Sequence, residues 1–352
     1  MGSNNPYIDH LKQALAENDF EVDATPSDNA FLYLLRKGIG SDLVILNWIE
    51  DLPYRRMGLV QMIIVMAYLP LLKLLGVRII WIKHNKASHT KKWFALSQKI
   101  QAFLARCSDH IIIHGLDAGI ADSPKLFFLP HPCNIGPDEI VRPVADTTSA
   151  TSPTMNAASA ATNAAPPIDL LIWGSLLPYK GVLEFLQYAQ HDPLFNGLRI
   201  HIAGKATPDY YSQLQRHAGP NTTIVNGYIA EEDLTALFRQ TRFILFTYNK
   251  QSVISSGVLM DSLVACKRII APDCGAFRDL AAQQQFVSLF DNFEEINKLF
   301  HEHYNNFQLS YPEVREFVAQ NSWYNMGAKI KGLIGSKTGV PSPNQIKIPE
   351  MP

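Results

Sequence analysis

Short runs of β-branched and aromatic residues recur along this chain, each followed by a stretch with helical spacing. The whole pattern occurs twice. In the first half the runs are residues 42–48 (DLVILNW), 77–84 (VRIIWIKH), 110–115 (HIIIHG) and 126–131 (LFFLPH). Helical stretches lie between them, notably 57–76 and 92–106. The second half restarts at 169–175 (DLLIWGS) and continues with 199–205, 222–228, 243–248 and 267–271. Helices centred on 182–190, 210–217, 232–240 and 257–265 separate these runs. Short, continuously apolar strands alternating with helices argue for parallel sheets covered on both faces. The expected class is therefore α/β, with two Rossmann-like domains facing each other across a cleft.

Between the halves the composition changes. Residues 143–167 are Ala, Thr, Ser, Asn and Pro, with nothing to bury a core, so they read as a low-complexity linker. The expected division is 1–142, 143–167, 168–322, and 323–352 as a helix crossing back to the first domain with a tail. A chain of 352 residues that is 47% hydrophobic has material for two cores. The formal net charge of −1 argues against a nucleic-acid coat. Cys107, Cys133, Cys266 and Cys274 lack paired metal spacing and sit in apolar runs, which reads as buried free thiols in a reducing cytosol. The first residues lack a signal peptide's apolar core. Residues 57–76 approach the length of a spanning helix, but Gln61, Pro70 and Lys73 interrupt them. A helix packed on a sheet is the expectation. One of its faces could also make peripheral contact with a membrane's inner face, helped by Arg55, Arg56, Lys73, Lys91 and Lys92.

Chemistry concentrates in the second half. In QSVISSGVLMDSLVACKRIIAPDCGAF, Ser255, Ser256 and Gly257 stand where a helix begins, and such a start carries partial positive charge and unpaired N–H groups. It can cradle phosphate, or the serines can simply cap the helix. Asp261 follows one turn later, within reach of a sugar hydroxyl. In GSLLPYKG, Gly174 permits a tight exit from a strand, Ser175 follows, and Lys180 stands before the next helix with its ammonium able to reach a phosphate. Gly204 and Lys205 end the following strand on the same side, and Tyr228 ends the one after and joins this candidate set. The glycine spacing of a P-loop is absent.

In this order and spacing, GSLLPYKG, RIHIAGK and the Ser-Gly helix start resemble the donor half of GT-B glycosyltransferases, closest to the family-4 type. The first half resembles that group more loosely, through ILNW, IIWIKHN, HIIIHG and LPHP. The resemblance implies an acceptor-binding first domain and a nucleotide-sugar-binding second one. It implies that Lys180 pairs with the donor pyrophosphate, that Ser256 and Gly257 form a backbone cradle, and that Asp261 binds the donor ribose. Two positions depart from that pattern: Ser175 stands where Arg is frequent, and Val253 where retaining members carry Glu. An inverting transfer to a hydroxyl of a glycan or lipid-linked glycan is the expected reaction. The expected charge stabilisation comes from protein groups, and with no Asp-x-Asp pair or zinc spacing no metal or other cofactor is implied. A base must then take the acceptor proton. Glu50 and Asp51, after the first strand, are candidates, with His84 and His89 as rivals. His131 reads as structural or donor-adjacent. Two alternatives stand beside this reading. One is a non-catalytic nucleotide- or sugar-binding regulator with the same fold. The other is an NAD(P)-dependent oxidoreductase, which would want a Gly-x-Gly-x-x-Gly turn that the chain lacks.

Overall fold

The computed structural model describes residues 6–23, 30–55, 57–84, 94–116, 119, 123–142, 167–250 and 256–335. The first lobe contains α1 (Pro6–Ala16), α2 (Ala30–Lys37), β1 (Leu43–Asn47), α3 (Gly58–Leu74), β2 (Arg78–Lys83), α4 (Phe94–Cys107), β3 (His110–Ile113) and β4 (Leu126–Phe128). The second lobe contains β5 (Ile168–Trp173), α5 (Val182–Ala189), α6 (Pro193–Asn196), β6 (Ile200–Gly204), α7 (Pro208–Arg216), β7 (Thr222–Asn226), α8 (Glu231–Gln240) and β8 (Thr241–Leu245). It continues with α9 (Gly257–Ser262), β9 (Ile269–Pro272), α10 (Gly275–Gln283), β10 (Val287–Phe290), α11 (Glu294–Glu302) and α12 (Tyr311–Gln320). The last helix, α13 (Trp323–Gly335), returns to the first lobe and lies against α1.

Among the described residues every strand pairing is parallel. The first sheet runs β1-β2-β3-β4 in chain order, with Leu43 opposite Arg78, Ile80 opposite His110 and Ile111 opposite Leu126. Both its faces are covered. On one, Met62, Val65, Leu69 and Leu72 of α3 pack with Ile100 and Leu104 of α4 onto Ile79, Trp81, Ile111 and Ile113. On the other, Tyr7, Leu11 and Leu15 of α1 and Met326 and Ile330 of α13 cover Ile80, Ile82 and Ile112. This alternation of Ile and Trp along β2, with successive side chains on opposite faces, is why the strand is apolar at every position.

The second sheet has the order β10-β9-β8-β5-β6-β7. The chain moves outward from β5 through β6 to β7, then returns to build β8, β9 and β10 on the other side. The order therefore reverses between β5 and β8. Asp169 at the base of β5 accepts hydrogen bonds from the Arg199 backbone N–H at 3.0 Å and from its Nε at 2.9 Å. These contacts fasten the start of β5 to β6.

The strands expected from sequence are found with shifts of up to three residues, and the edge strand β10 (Val287–Phe290) was not among those expected. The polar residues expected to end strands, such as His84, Ser175, Tyr228 and Tyr248, instead fall in the loops just beyond. There the parallel partner has run out, and the side chains are freed toward the carboxyl edge. The four cysteines are buried free thiols. Arg56, His89, Lys91, Lys92, Val253, Ser255 and nearly all of the expected linker lie outside the described residues.

Candidate active site at the lobe junction

Where a parallel sheet reverses its order, adjacent loops diverge and leave a crevice at the strands' carboxyl ends. In the second lobe that point lies between β5 and β8. Leaving β5, Gly174 takes φ +93 and Gly181 φ +69, on either side of the 3-10 turn Pro178–Lys180. A Cβ on Gly204, at the end of β6, would lie 1.8 Å from the Gly174 carbonyl oxygen. Glycine is what allows these two strand ends to close so tightly.

Lys180 folds back over the reversal. The Thr247 hydroxyl, just after β8, donates to the Lys180 carbonyl at 2.7 Å. The Lys180 ammonium lies 5.2 Å from the centre of the Tyr248 ring. The residue is only 5% exposed, and no carboxylate among the described residues pairs with its ammonium. Burial pulls its pKa below the ordinary lysine value, with Tyr179 a smaller opposing influence. A Cβ built on Gly174 would sit 3.4 Å from Lys180 Nζ and 3.2 Å from Val258 Cγ2. The β5 exit, the ammonium and the first turn of α9 therefore converge. Ser256 caps α9, its hydroxyl accepting from the Leu259 N–H at 3.2 Å.

The first lobe presents histidines. His84 directly follows β2, His114 directly follows β3, and His131 comes three residues after β4. Adjacent parallel strands carry these rings to one edge, with centroids 5.3 Å apart for His84 and His114 and 5.4 Å for His114 and His131. Tyr7 from α1 stands across all three, at 4.7, 5.8 and 5.4 Å. His114 Nδ1 donates to the Leu129 carbonyl at 2.7 Å, so its Nε2 accepts from the Tyr7 hydroxyl at 2.8 Å. His131 Nδ1 donates to the Pro132 carbonyl at 2.8 Å, which leaves the lone pair on Nε2. Burial pushes His114 down to about 3 and His131 down to about 4, so both rings are neutral near pH 7. His84 is also lowered well below its usual value by burial, with His114 and His131 adding to the effect. Its Nε2 lies 2.9 Å from Asn47 Oδ1. Trp48, in a left-handed conformation at φ 50, stacks on it with centroids 4.2 Å apart.

The two edges meet at His131 and α9. A crevice of about 330 Å³, counting its open mouth, lies between the lobes. His114, Pro130 and His131 line it from one side, and Ser256, Leu259 and Asp279 from the other. Lys180 and Gly174 are not among its walls. Around it the lobes are tied by backbone and side-chain bonds: Leu116 N–H donates to Asp279 at 2.7 Å, Asn134 donates to both oxygens of Asp261, and the Val141 N–H donates to the Val264 carbonyl at 2.9 Å.

No protein-family model matches the chain, and no curated protein matches it by sequence. Solved structures do match it in shape. Anabaena HepE in complex with UDP superposes with a TM-score of 0.60 at 10% identity, covering 87% of this chain and 82% of that one. Sucrose-phosphate synthase from Thermosynechococcus elongatus gives 0.63 at 13% identity, with 95% and 93% covered. Trehalose-6-phosphate synthase OtsA gives 0.57 at 14%, with 95% of each chain covered. The fold is GT-B. Two Rossmann-like lobes, with the last helix returned to the first lobe, account for the match over nearly the whole chain.

Set on this GT-B frame, the residues singled out from sequence separate into groups. Gly174, Lys180, Gly204, Ser256 and Gly257 gather at or beside the reversal point of the second lobe. Ser175 and Lys205 are exposed on the neighbouring loops, where the Leu176 N–H donates to the Lys205 carbonyl at 2.9 Å. Tyr228 does not join them: it is 92% exposed, beyond the edge strand β7. Asp261 differs from the ribose-binding expectation. Asn134 donates to its two oxygens from the backbone at 2.9 Å and from Nδ2 at 2.8 Å, so its carboxylate ties the two lobes together. Glu50 differs too. It is 1% exposed, accepts from Trp81 Nε1 at 3.2 Å, and is pushed up to about 7 chiefly by burial. It supports the carboxyl end of β2 from within and has no open route to an acceptor. Asp51 is half-buried in the 3-10 turn Ile49–Tyr54, and Ser255 falls outside the described residues. Sequence reasoning missed Tyr7, Trp48 and His114. The signal available for His114 was that successive strands each run out into histidine; Tyr7 and Trp48 had none.

Proposed function

We propose that this protein is a glycosyltransferase that moves a sugar from a nucleotide-sugar donor to a hydroxyl of a glycan or lipid-linked glycan. One observation carries the reading: a buried ammonium, Lys180, with no carboxylate partner among the described residues, held at the reversal point of the second sheet beside Gly174 and Val258. A cation kept there without a counter-ion suits a diphosphate, whose charge it would balance as the leaving group departs. The HepE structures in complex with UDP and with UDP-glucose support a donor of this class on this fold. Charge stabilisation falls to Lys180 and main-chain N–H groups, so the transfer runs without a bound metal.

His131 takes the role first sought at Glu50, Asp51 or His84. Its Nε2 carries a lone pair, it lines the crevice between the lobes, and its ring touches the start of α9. It accepts a hydrogen bond from the acceptor hydroxyl and receives its proton as that oxygen attacks the anomeric carbon opposite the departing nucleoside diphosphate, whose bond to the sugar breaks in the same displacement; that geometry inverts the centre. A pKa pulled down to about 4 by burial keeps the ring neutral near pH 7, with its Nε2 lone pair available, and makes it a weak base in the empty site.

Calorimetry with UDP and GDP, followed by a nucleotide-release assay on a panel of nucleotide sugars, tests this. Lys180→Ala is expected to weaken nucleoside-diphosphate binding by roughly tenfold or more. Unchanged affinity would remove the donor site. Tight binding without turnover of any nucleotide sugar would leave a binding protein in place of an enzyme.

A further inference from the structure

The face of α3 turned away from the sheet is apolar from end to end. Val60, Ile64, Ala67, Leu71 and Leu74 follow at steps of four, three, four and three, and all are exposed. They form one stripe along the helix, opposite the Met62, Val65, Leu69 and Leu72 stripe that packs on the first sheet. Met57, Ile63 and Leu74 are 67, 68 and 85% exposed. A surface helix ordinarily sets charged or polar residues on that side; this one sets none there. Scattered exposed apolar residues are normal, but a contiguous helical face of them marks an interaction surface.

Charge identifies the partner. Neither α2 nor α3 contains a carboxylate. Arg55, three residues before α3, and Arg36, in the last turn of α2, are exposed. The end of α2 reaches α3 through the Tyr68 hydroxyl, which donates to the Leu35 carbonyl at 3.1 Å. The remaining nearby bases are engaged, Lys37 with Asp23 and Lys73 with Asp109. Arg36 and Arg55 are thus the exposed charges left on α2 and at the entry to α3, and both are positive, while Asp51 in the preceding turn is half-buried. A second copy docking through a two-fold axis would bring these arginines against their own kind, whereas an anionic bilayer meets both features at once.

We infer that α3 is an interfacial anchor: it lies in the headgroup region of a membrane bearing anionic lipid, its outer stripe in the acyl boundary and Arg36 and Arg55 against phosphate. No helix among the described residues is long and apolar enough to cross a membrane, so the contact is peripheral. The amino end of α3 follows the 3-10 turn at the carboxyl edge of β1. That edge faces the crevice, so the anchor sets the first lobe's cleft-facing side near the lipid surface.

Co-sedimentation with phosphatidylcholine vesicles, with and without added phosphatidylglycerol, tests the inference in the absence of any nucleotide, so its failure leaves the transfer reading untouched. The protein is expected to partition roughly tenfold more strongly onto the anionic vesicles and to lose that advantage at high salt. The double variant Ile63→Glu, Leu74→Glu, altered only at exposed positions, is expected to lose at least roughly tenfold in partition while keeping its unfolding midpoint. Arg55→Glu, which leaves the apolar stripe intact, is expected to reduce anionic-vesicle binding alone. Absence of vesicle binding, or equal binding by the double variant, overturns the inference. So does a concentration-dependent dimer that the double variant abolishes in a protein that ignores vesicles, since the stripe would then serve a second copy.

Discussion

The imidazole of His131 packs directly on Gly257: a Cβ at that glycine would lie 3.1 Å from Cε1 and 3.5 Å from Nε2. The first residue of α9 in the second lobe and the last histidine of the first lobe thus share one van der Waals surface, and the width of the seam is set by the absence of a side chain. Gly257→Ala places a methyl in that surface while improving helix propensity. It is expected to destabilise the protein by about 1 kcal/mol in the native background and by close to nothing when His131 is also Ala. A urea-unfolding double-mutant cycle measures the coupling. Equal effects in both backgrounds would mean that the ring simply moves aside.

Lys180 makes donor binding depend on pH in a particular direction. Its pKa in the empty site is depressed by burial, and a diphosphate prefers the charged form. As pH rises through that depressed value, each binding event must also take up a proton, so affinity falls. The expected result is a dissociation constant for UDP that climbs by up to roughly tenfold per pH unit on the alkaline side. Lys180→Arg, always charged, is expected to flatten this dependence. Calorimetry in buffers of different ionisation enthalpy would detect the proton uptake.

The first lobe contains opposed titrations. His114 and His131, depressed to about 3 and about 4, stay neutral in the fold while their unfolded counterparts protonate below pH 6.5. The unfolded state then binds more protons, so their contribution is full above pH 6.5 and is lost as pH falls toward 4. Glu50, raised to about 7, works the other way: the folded state holds its proton between pH 4.5 and 7, so its contribution is lost as pH rises through that window. Glu50→Gln is expected to gain on the native protein by as much as about 3 kcal/mol between pH 5 and pH 8, because Gln keeps an acceptor for Trp81 and His84 without the ionisation cost. Urea unfolding at the two pH values checks this. A constant difference between the two proteins would show that Glu50 ionises freely.

Gly204→Ala is expected to be among the most damaging single-methyl additions in the chain. At φ +157, its new Cβ would lie 1.8 Å from the Gly174 carbonyl, a backbone atom that cannot turn away. A loss of roughly 3 kcal/mol or more, or failure to accumulate as folded protein, is the expected outcome. Circular dichroism and thermal unfolding would report it, and a near-native midpoint would mean the β5 and β6 exits can separate.

Much of the architecture was legible in the residues. Continuous apolar strands such as DLLIWGS and VRIIWIKH can only be buried on both faces, and the helices between them force parallel pairing. The chain-order glycines at 174 and 204 were legible as well, since a strand exit at positive φ excludes other residues at little ambiguity. Single side-chain roles were less so. Asp261 stands one turn into a helix in a pattern that suggests a sugar hydroxyl, yet its oxygens take the backbone and amide of Asn134, 127 residues earlier in the chain. Glu50 and Asp51 are adjacent acids in one 3-10 turn that look alike in sequence; one is sealed against Trp81 and the other is only half-buried.

By itself, then, the sequence determined the class of fold, the strand and helix periods, and the placement of Lys180 and the key glycines at strand exits. These depend on local backbone sterics and on hydrophobic periodicity, which act over a few residues. Only the tertiary structure decided that Tyr7 spans three histidines, that His131 rests on Gly257, and that the outer stripe of α3 is left uncovered. Each of those is a contact, or the lack of one, between segments far apart in the chain. Burial, and with it charge state and chemical role, belongs to the assembled lobes rather than to any stretch of residues read alone.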